Sequence, residues 1–319
     1  MQKFVKFADI LYLCTDSEKI LNMCTERYVN PFTDFGFKLL FGTPANKEFM
    51  IAFLNSLFED KHHIVDISYN NTEIFGKSAD DRKAIYDLYC ETSDGSHIIV
   101  EMQNAYQRFF LDRSVYYSSF PMQAMAKKGD WDYRLPPIYM VSFLNFNMDQ
   151  FVGDSDYKHV VQLTDQKTHQ VVFDKLTYIY LEMPKFDKNI DDLHGFADCW
   201  LYIIKNLVKL DKRPQRFRDK VFERFFRVAE IARFTPQERA AYESSLKIMR
   251  DYNNTVRDAE YLGMRKGKAE GRAEGRAEGL EEGAISKAIE IAINLKNSGM
   301  PVDRIADITG LTEKQIITL

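Results

Sequence analysis

The apolar and polar positions along the first two thirds of the chain alternate between helical and strand spacing. Apolar residues recur every three or four positions between residues 34 and 58, which predicts two helices separated by the break Gly42-Thr43-Pro44. Strand-like runs follow at residues 64–75, 84–91, 97–103, 135–146, 158–163, 170–174 and 177–183. This order predicts an α/β fold in which a mixed central sheet is flanked by helices.

Two further helices can be placed around these strands. Residues 30–34 have the composition of a helix start, in which Thr33 or Asp34 caps the free amides. The segment from Tyr106 to Lys128 has helical spacing. Pro121 should kink or divide that helix, because proline removes a backbone donor and its ring clashes with the preceding turn.

The C-terminal third is predicted to be an α-helical extension that contains a repeat. About three helices are expected between residues 191 and 250, with breaks near Pro214 and Pro236. Glycine then recurs at every fourth position from Gly263 to Gly283. Each of these glycines costs a helix about 1 kcal/mol relative to alanine. A flexible tether is therefore favoured, and a helix stabilised by another copy of the chain is the alternative.

The last residues are expected to form a small helical element. An amphipathic helix from Ile285 should stop near Gly299, and a turn is expected at Gly310. Thr312 and Gln315 have the spacing of a capping box, which predicts a final short helix. That helix is short for one that reads a DNA groove, so a packing or assembly element is favoured over half of a helix-turn-helix.

These patterns divide the chain into five segments. They are a helical leader at 1–29, a core domain at 30–185, a helical extension with a basic segment at 186–260, the charged glycine repeat at 261–283, and the small helical element at 284–319.

Composition and charge limit the partners of the protein. Hydrophobic residues make up 45% of the 319 residues, which is enough for a well-folded body. The net charge of −4 gives no overall field that would hold a polyanion. The basic segment, residues 205–233, carries a local excess of positive charge. A solvated helix face is its favoured interpretation, and a nucleic-acid contact is the alternative.

Neither a metal-binding cysteine motif nor a membrane span is visible in the sequence. The four cysteines lack paired spacing and nearby histidines, and the histidines lack ligand spacing, so we assign no zinc site. No apolar run reaches the roughly 18 residues of a membrane span. We therefore expect a cytoplasmic protein without membrane contact.

Polar residues interrupt the apolar strand at residues 97–103. Glu101 and Gln103 share one face of this strand with Ile99, because side chains alternate along a strand. Asp87 lies in the preceding strand-like run. Buried carboxylates are costly unless they are paired or bind a cation. Asp87 and Glu101 are therefore a candidate site for a divalent metal ion.

The turn between the two runs decides whether these carboxylates meet. A two-residue loop, Asp94-Gly95, would place Asp87 opposite Met102 and turn it away from Glu101. A three-residue loop that begins at Ser93, with Gly95 in the left-handed region, pairs Asp87 with Glu101 instead. Both loops suit the sequence. We predict the three-residue loop, since only that loop brings the two carboxylates together.

The order of elements, together with the Asp and Glu-x-Gln strands, resembles the PD-(D/E)xK nuclease superfamily and its restriction-endonuclease-like core. The chain also contains a set of further motifs, which are Phe32-Thr-Asp-Phe-Gly-Phe-Lys-Leu-Leu-Phe-Gly42, Asn46-Lys47, Phe53-Leu-Asn55, Asp87, Val100-Glu-Met-Gln103, Arg113-Ser-Val-Tyr-Tyr117 and Pro137-Ile-Tyr-Met-Val141. Through these motifs, residues 26–260 more closely resemble the Rpn family of recombination-promoting nucleases, also described as PD-(D/E)xK family transposases. This resemblance implies a Mg²⁺-dependent DNA endonuclease that promotes recombination or transposition in a bacterial cytoplasm.

The resemblance also implies roles for individual residues. Asp87 and Glu101 would hold Mg²⁺ and, with Gln103, form the catalytic set. Further candidates are Asp34 as an additional ligand, and Lys38, Arg113 and Tyr117 as DNA contacts or supports of the site.

Gln103 occupies the position of the superfamily's lysine, and glutamine is a usual variant at that position in the Rpn family. A glutamine orients water but supplies neither charge nor a base. Weakened cleavage, or a substitute cation from Lys38, Lys83 or Arg113, is therefore an open alternative. The second functional hypothesis is a nuclease-fold protein that has lost or nearly lost cleavage and binds DNA or assembles. In either case the C-terminal segment is a candidate for homo-oligomer formation.

Overall fold

The computed structural model describes residues 26–58, 63–70, 72–74, 84–125 and 132–319. The strands in these ranges are β1 (Ile67–Tyr69), β2 (Glu73–Ile74), β3 (Ala84–Ile85), β4 (Leu88–Thr92), β5 (His97–Gln103), β6 (Ile138–Leu144), β7 (Lys158–Thr164) and β8 (Val171–Glu182). The α-helices are α1 (Asp34–Phe41), α2 (Lys47–Phe58), α3 (Phe110–Met125), α4 (Gly195–Asn206), α5 (Lys220–Val228), α6 (Pro236–Asn297), α7 (Val302–Thr309) and α8 (Glu313–Thr318).

Six of these strands form one mixed sheet in the order β1-β4-β5-β6-β8-β7. Strands β5, β6 and β8 are parallel, while β1, β4 and β7 pair antiparallel to their neighbours. The carboxyl ends of the three parallel strands therefore lie at one edge of the sheet. The predicted α/β fold with a mixed, helix-flanked sheet is confirmed.

Helices cover both faces of this sheet. On one face, Phe143 of β6 contacts Phe37 of α1 and Phe53 of α2, with ring centroids 6.1 and 5.0 Å apart. On the other face, Phe110 of α3 packs in a buried cluster with Ile99 and residues of β6 and β8. Both faces of β5 are therefore buried, which is why a polar side chain on this strand is exceptional.

Helices α4 and α5 pack on helices α1 and α2 of the core. Trp200 of α4 lies 6.1 Å from Phe41 of α1, and Phe225 of α5 lies 5.3 Å from Phe49 of α2, measured between ring centroids. These ring contacts join α4 and α5 to the core. The chain divides into two compact units at residue 248, and the finer division into five segments stays a prediction.

Several element boundaries differ from the sequence predictions. The run at 84–91 is two short strands separated at Asp87, and residues 171–182 form one long strand instead of two. Helix α3 continues through Pro121, so the predicted division does not occur. The predicted leader lies outside the described residues except for 26–29, which are not helical and form an isolated bridge between Tyr28 and Glu230.

The start of α1 follows the prediction closely. Thr33 is the N-cap, and its Oγ1 accepts a hydrogen bond from the amide of Gly36 at 3.0 Å. A Cβ at Gly36 would lie only 2.1 Å from the carbonyl oxygen of Asn30. Glycine is therefore required there so that the approaching chain can pack against the helix.

The second unit, from residue 248, consists of helices. Residues 261–283 are helical within α6, whereas the sequence favoured a flexible tether; stabilisation of this helix by another copy of the chain stays a prediction. A small core of Ala292, Ile305 and Ile316 joins the end of α6 to α7 and α8. The predicted turn at Gly310 and the capping box of Thr312 with Gln315 are both present.

Candidate active site

The turn between β4 and β5 is the predicted three-residue loop. Thr92 donates its amide to the carbonyl of Ser96, and Gly95, with φ of 82°, donates to the carbonyl of Thr92, both at 2.9 Å. The register pairs Leu88 with Val100. One residue further, the same register sets Asp87 opposite Glu101, so the predicted register is confirmed.

Strand pairing breaks at Asp87, and its side chain takes over a ladder contact. The amide of Tyr86 bonds the carbonyl of Thr72 at 3.0 Å, because the chain leaves the main sheet at this point. Oδ2 of Asp87 accepts the amide of Met102 at 2.6 Å. The carboxylate thus replaces a backbone acceptor for this amide, and the bond holds it beside Met102 near the carboxyl end of β5.

Glu101 is a buried acid with one unsatisfied oxygen. Its side chain is 1% exposed, and its Oε1 has no hydrogen-bond partner among the described residues. Burial, followed by the charge of Asp87, raises the pKa of Glu101. Burial also raises the pKa of Asp87, although its bond from Met102 opposes the rise. Two neighbouring acids whose ionised forms are both disfavoured constitute a site that a cation would stabilise.

A closed ring of polar contacts supports Glu101. Gln103 donates its Nε2 to Oε2 of Glu101 at 2.8 Å, and Gln107 donates to Oε1 of Gln103 at 3.0 Å. Arg113 donates to Oε1 of Gln107 at 3.1 Å and places Nη2 3.8 Å from Oε2 of Glu101. The Gln103 amide is therefore fixed between an acceptor and a donor, which determines its orientation.

Gln107 is a member of this ring that sequence reasoning missed. It lies in the irregular segment between β5 and α3, where no periodicity indicates a direction for the side chain. A polar residue shortly after the Glu-x-Gln strand was the only available signal, and it is not specific.

The remaining predicted site residues take different places. Asp34 is exposed and forms an ion pair with Lys38 at 2.7 Å, and both charges influence the pKa of Asp87. The guanidinium of Arg113 lies over the ring of Tyr117 at 4.6 Å. Lys83, named as a substitute cation, lies outside the described residues. The structure thus brings together Asp87, Glu101, Gln103 and Arg113. Tyr117 joins them only through its contact with Arg113.

The carboxylates of Asp87 and Glu101 suit a hard divalent cation that takes only a few of its ligands from the protein. Across the ranges described above, no three His, Cys, Asp or Glu side chains converge as a metal-binding group, so Asp34 does not complete a triad. Mg²⁺ is commonly bound by one or two carboxylates, with water and substrate phosphate as the other ligands. The unpartnered Oε1 of Glu101, opposite Asp87, fits that mode of binding.

Many charges of the basic segment are used within the fold. Lys205 donates to the carbonyls of Met183 and Phe186, and Arg224 forms an ion pair with Glu48 at 2.9 Å. Further internal contacts in this segment are those of Arg213, Arg216, Arg227 and Arg233. These contacts favour the structural interpretation of the segment over a continuous nucleic-acid surface.

Two other sequence predictions can be compared with the structure. Cys90 and Cys199 are buried free thiols, as expected, while Cys14 and Cys24 lie outside the described residues. None of the helices in the described part of the chain is long and apolar enough to cross a membrane.

The comparisons with known proteins give one match. Residues 31–259, more than half of the chain, match the family model of the PD-(D/E)XK nuclease family transposases. No curated protein and no solved structure matches the chain. The matched range contains both carboxylates, the complete ring around Glu101, and helices α4 and α5.

Proposed function

Because the chain belongs to the PD-(D/E)XK nuclease family transposases, we propose that it is a Mg²⁺-dependent DNA endonuclease that acts in recombination or transposition. The observation that carries the proposal is the acidic pair, in which Glu101 is buried opposite Asp87 with an unpartnered oxygen. Burying two carboxylates without a cation is costly, so the burial of this pair supports the binding of a cation between them.

The residues of the site would divide the work between them. Asp87 and Glu101 would hold the Mg²⁺ ion, which neutralises charge that develops on the phosphate and lowers the pKa of a bound water. The bond from Met102 keeps Asp87 directed toward Glu101. Gln103 donates one amide hydrogen to Glu101, and its second amide hydrogen would orient the attacking water. Arg113 supplies the positive charge that Gln103 lacks.

Nicking of supercoiled plasmid tests this proposal. We expect the wild type to nick DNA with Mg²⁺ or Mn²⁺ and to stop when EDTA is added. Asp87→Asn and Glu101→Gln should each reduce the rate by roughly 100-fold or more. Glu91→Gln, which alters a carboxylate of the same hairpin outside the pair, is the matched control and should retain activity. Equal rates in all four proteins would refute the assigned site.

A second candidate function is supported by Gln103. Its amide is fixed by Glu101 and Gln107 and carries no charge, in contrast to the superfamily lysine. A protein that binds DNA through a nuclease fold and cleaves it weakly or not at all would have such a site. DNA binding by the wild type and by Glu101→Gln, with no nicking by either, would identify this second function.

The C-terminal helix and the cellular location complete the proposal. We assign homo-oligomer formation to the glycine repeat at 261–283, because six exposed glycines leave a solitary helix marginal. DNA is the proposed partner, and the bacterial cytoplasm is the proposed location.

A further inference from the structure

Exposed aromatic side chains lie on the segment that links β5 to α3 and on the first half of α3. Phe109 is 67% exposed, Tyr106 is 50% exposed and Tyr116 is 46% exposed. The guanidinium of Arg108 lies 5.3 Å from the centre of the Phe109 ring. We call Tyr106, Arg108, Phe109 and Tyr116 the aromatic patch. Binding of a partner over these rings would remove their apolar surface from water, so their exposure indicates a contact surface.

The aromatic patch is directly connected to the candidate active site. The carbonyl of Phe109 accepts the amide of Arg113 at 3.0 Å, and Arg113 is the cation beside Glu101. Gln107, which lies between Tyr106 and Arg108 in the chain, belongs to the ring that holds Gln103. A molecule bound to the aromatic patch would therefore lie next to the site at which cleavage is proposed.

Two of the patch residues are held in place by neighbouring side chains. The hydroxyl of Tyr106 donates to Oδ2 of Asp149 at 2.6 Å, and its ring lies edge-on to Phe146 at 5.6 Å. Tyr116 packs edge-on to Phe120 at 5.0 Å. Fixed rings lose little conformational freedom when a planar group stacks on them, which favours binding.

The chemistry of the aromatic patch suits bases better than phosphates. Asp112 is exposed between Phe109 and Tyr116 along α3, and its charge opposes a phosphate at that point. Aromatic rings with a neighbouring arginine are the surface on which unpaired bases stack in single-stranded nucleic acid. Duplex DNA keeps its base faces covered by their neighbours, so a duplex cannot use this surface without being opened.

We propose that the aromatic patch binds unpaired bases and that the protein prefers DNA with a single-stranded segment next to the site of cleavage. This inference rests on the proposed function, since it names the class of DNA that the same site would receive.

The test measures binding in EDTA by fluorescence anisotropy, so that cleavage does not interfere. The probes are a single strand of about 16 nucleotides, an abasic strand with the same number of phosphates, and the corresponding duplex. We expect the wild type to bind the single strand more tightly than the other two. Phe109→Ala and Tyr116→Ala should each weaken single-strand binding by about 5- to 150-fold and leave the abasic strand unaffected.

Two controls separate stacking from a change in folding. Phe109→Trp keeps an aromatic face and should retain affinity for the single strand. Tyr133→Ala removes a ring that is 80% exposed and precedes the amino end of β6, at the opposite edge of the sheet, and should change none of the three affinities. A thermal melt of each variant checks that the fold is kept.

The possible outcomes distinguish this inference from the proposed function. Loss of affinity that is equal for all three probes, or no loss at all, would overturn the inference while DNA binding stands. A lower oligomeric mass of Phe109→Ala by light scattering, with unchanged DNA affinity, would overturn it in favour of a protein interface. Failure of the wild type to bind any probe, both in EDTA and with Mg²⁺, would count against DNA as the substrate and thus against the proposed function as well.

Discussion

The carboxyl group of Glu101 is held in surroundings that favour its protonated form. Burial and the nearby charge of Asp87 raise the pKa of Glu101 above the value of roughly 4.3 in an unfolded chain. The folded protein therefore binds the proton more tightly than the unfolded chain does. Without a cation, the free energy of unfolding should fall as pH rises from the unfolded pKa through the raised, folded pKa.

A divalent cation should reverse this pH dependence. The cation binds the ionised carboxylates, so its stabilising effect should be small near about pH 5 and larger near about pH 8.5. At a concentration of 100 times Kd it would add about 2.7 kcal/mol to the free energy of unfolding. Thermal melts with Mn²⁺ and with EDTA at both pH values measure the effect. If Glu101→Gln showed the same cation-induced shift as the wild type, Glu101 would not be a ligand.

Arg113 should matter for stability chiefly when Glu101 is ionised. Its charge lowers the pKa of Glu101 and opposes the effect of burial. In EDTA, Arg113→Met should lower the free energy of unfolding by about 1–3 kcal/mol near pH 8.5 and by much less near pH 5. Urea unfolding at the two pH values tests this, with Arg134→Met as the control on an exposed arginine. A loss that does not depend on pH would mean that Arg113 acts only by packing.

At the residue scale, local patterns in and beside the β4–β5 hairpin predicted Asp87, Glu101 and Gln103 as members of the site. Alternation along β5 identified the common face of Glu101 and Gln103, and turn chemistry added Asp87. Gln107 could not be found in this way, because it lies in a segment without periodicity. Oε1 of Glu101 has no hydrogen-bond partner among the described residues, and this too depends on tertiary packing, which no local sequence pattern reveals.

At the element scale, the turn between β4 and β5 controls the register on which the site depends. Gly95 has φ of 82°, and a Cβ there would meet no atom within 4 Å, so conformation alone requires the glycine. Gly95→Val should lower the free energy of unfolding by at least about 1–2 kcal/mol, because a β-branched residue is strained in the left-handed region. Gly95→Asn should cost less, since asparagine tolerates this region. Equal losses for the two variants, measured by urea unfolding, would contradict this account.

Elements whose conformation depends on partners were harder to predict than this turn. The run at 84–91 looks continuous in sequence, yet it divides at Asp87 because residues 84–85 pair with β2 outside the main sheet. Helix α3 accommodates Pro121, which is buried among its neighbours. In both cases tertiary contacts outweigh the local preference.

At the scale of the whole molecule, the glycine repeat in α6 presents an ordered arrangement of charge. The two central glycines, Gly271 and Gly275, are each preceded by glutamate and followed by arginine. On a helix the glycines therefore form a stripe with an acidic border on one side and a basic border on the other. The local sequence favoured a tether because glycine disfavours helix, and packing against a second copy would offset that cost.

The borders of the stripe predict the direction of pairing between two copies. If two such helices pack parallel about a two-fold axis, the acidic border of each faces the basic border of the other; antiparallel packing would oppose like charges. Glycines allow the backbones to approach closely, as small residues do at other helix contacts. We therefore expect the full chain to form a parallel dimer. Replacing Gly271, Gly275 and Gly279 by leucine should give a monomeric mass by light scattering.

Oxidative cross-linking of Gly283→Cys tests the orientation. In a parallel pair centred on the repeat, the two introduced thiols lie opposite each other and should form a disulfide under mild oxidation. In an antiparallel pair, each would lie opposite the region of Gly263, about 30 Å from its counterpart at 1.5 Å of rise per residue. The unsubstituted chain, which retains its four cysteines, is the control for background cross-linking. A dimeric mass without a disulfide specific to Gly283→Cys would reject the parallel arrangement, because the charged borders would then not determine the direction of pairing.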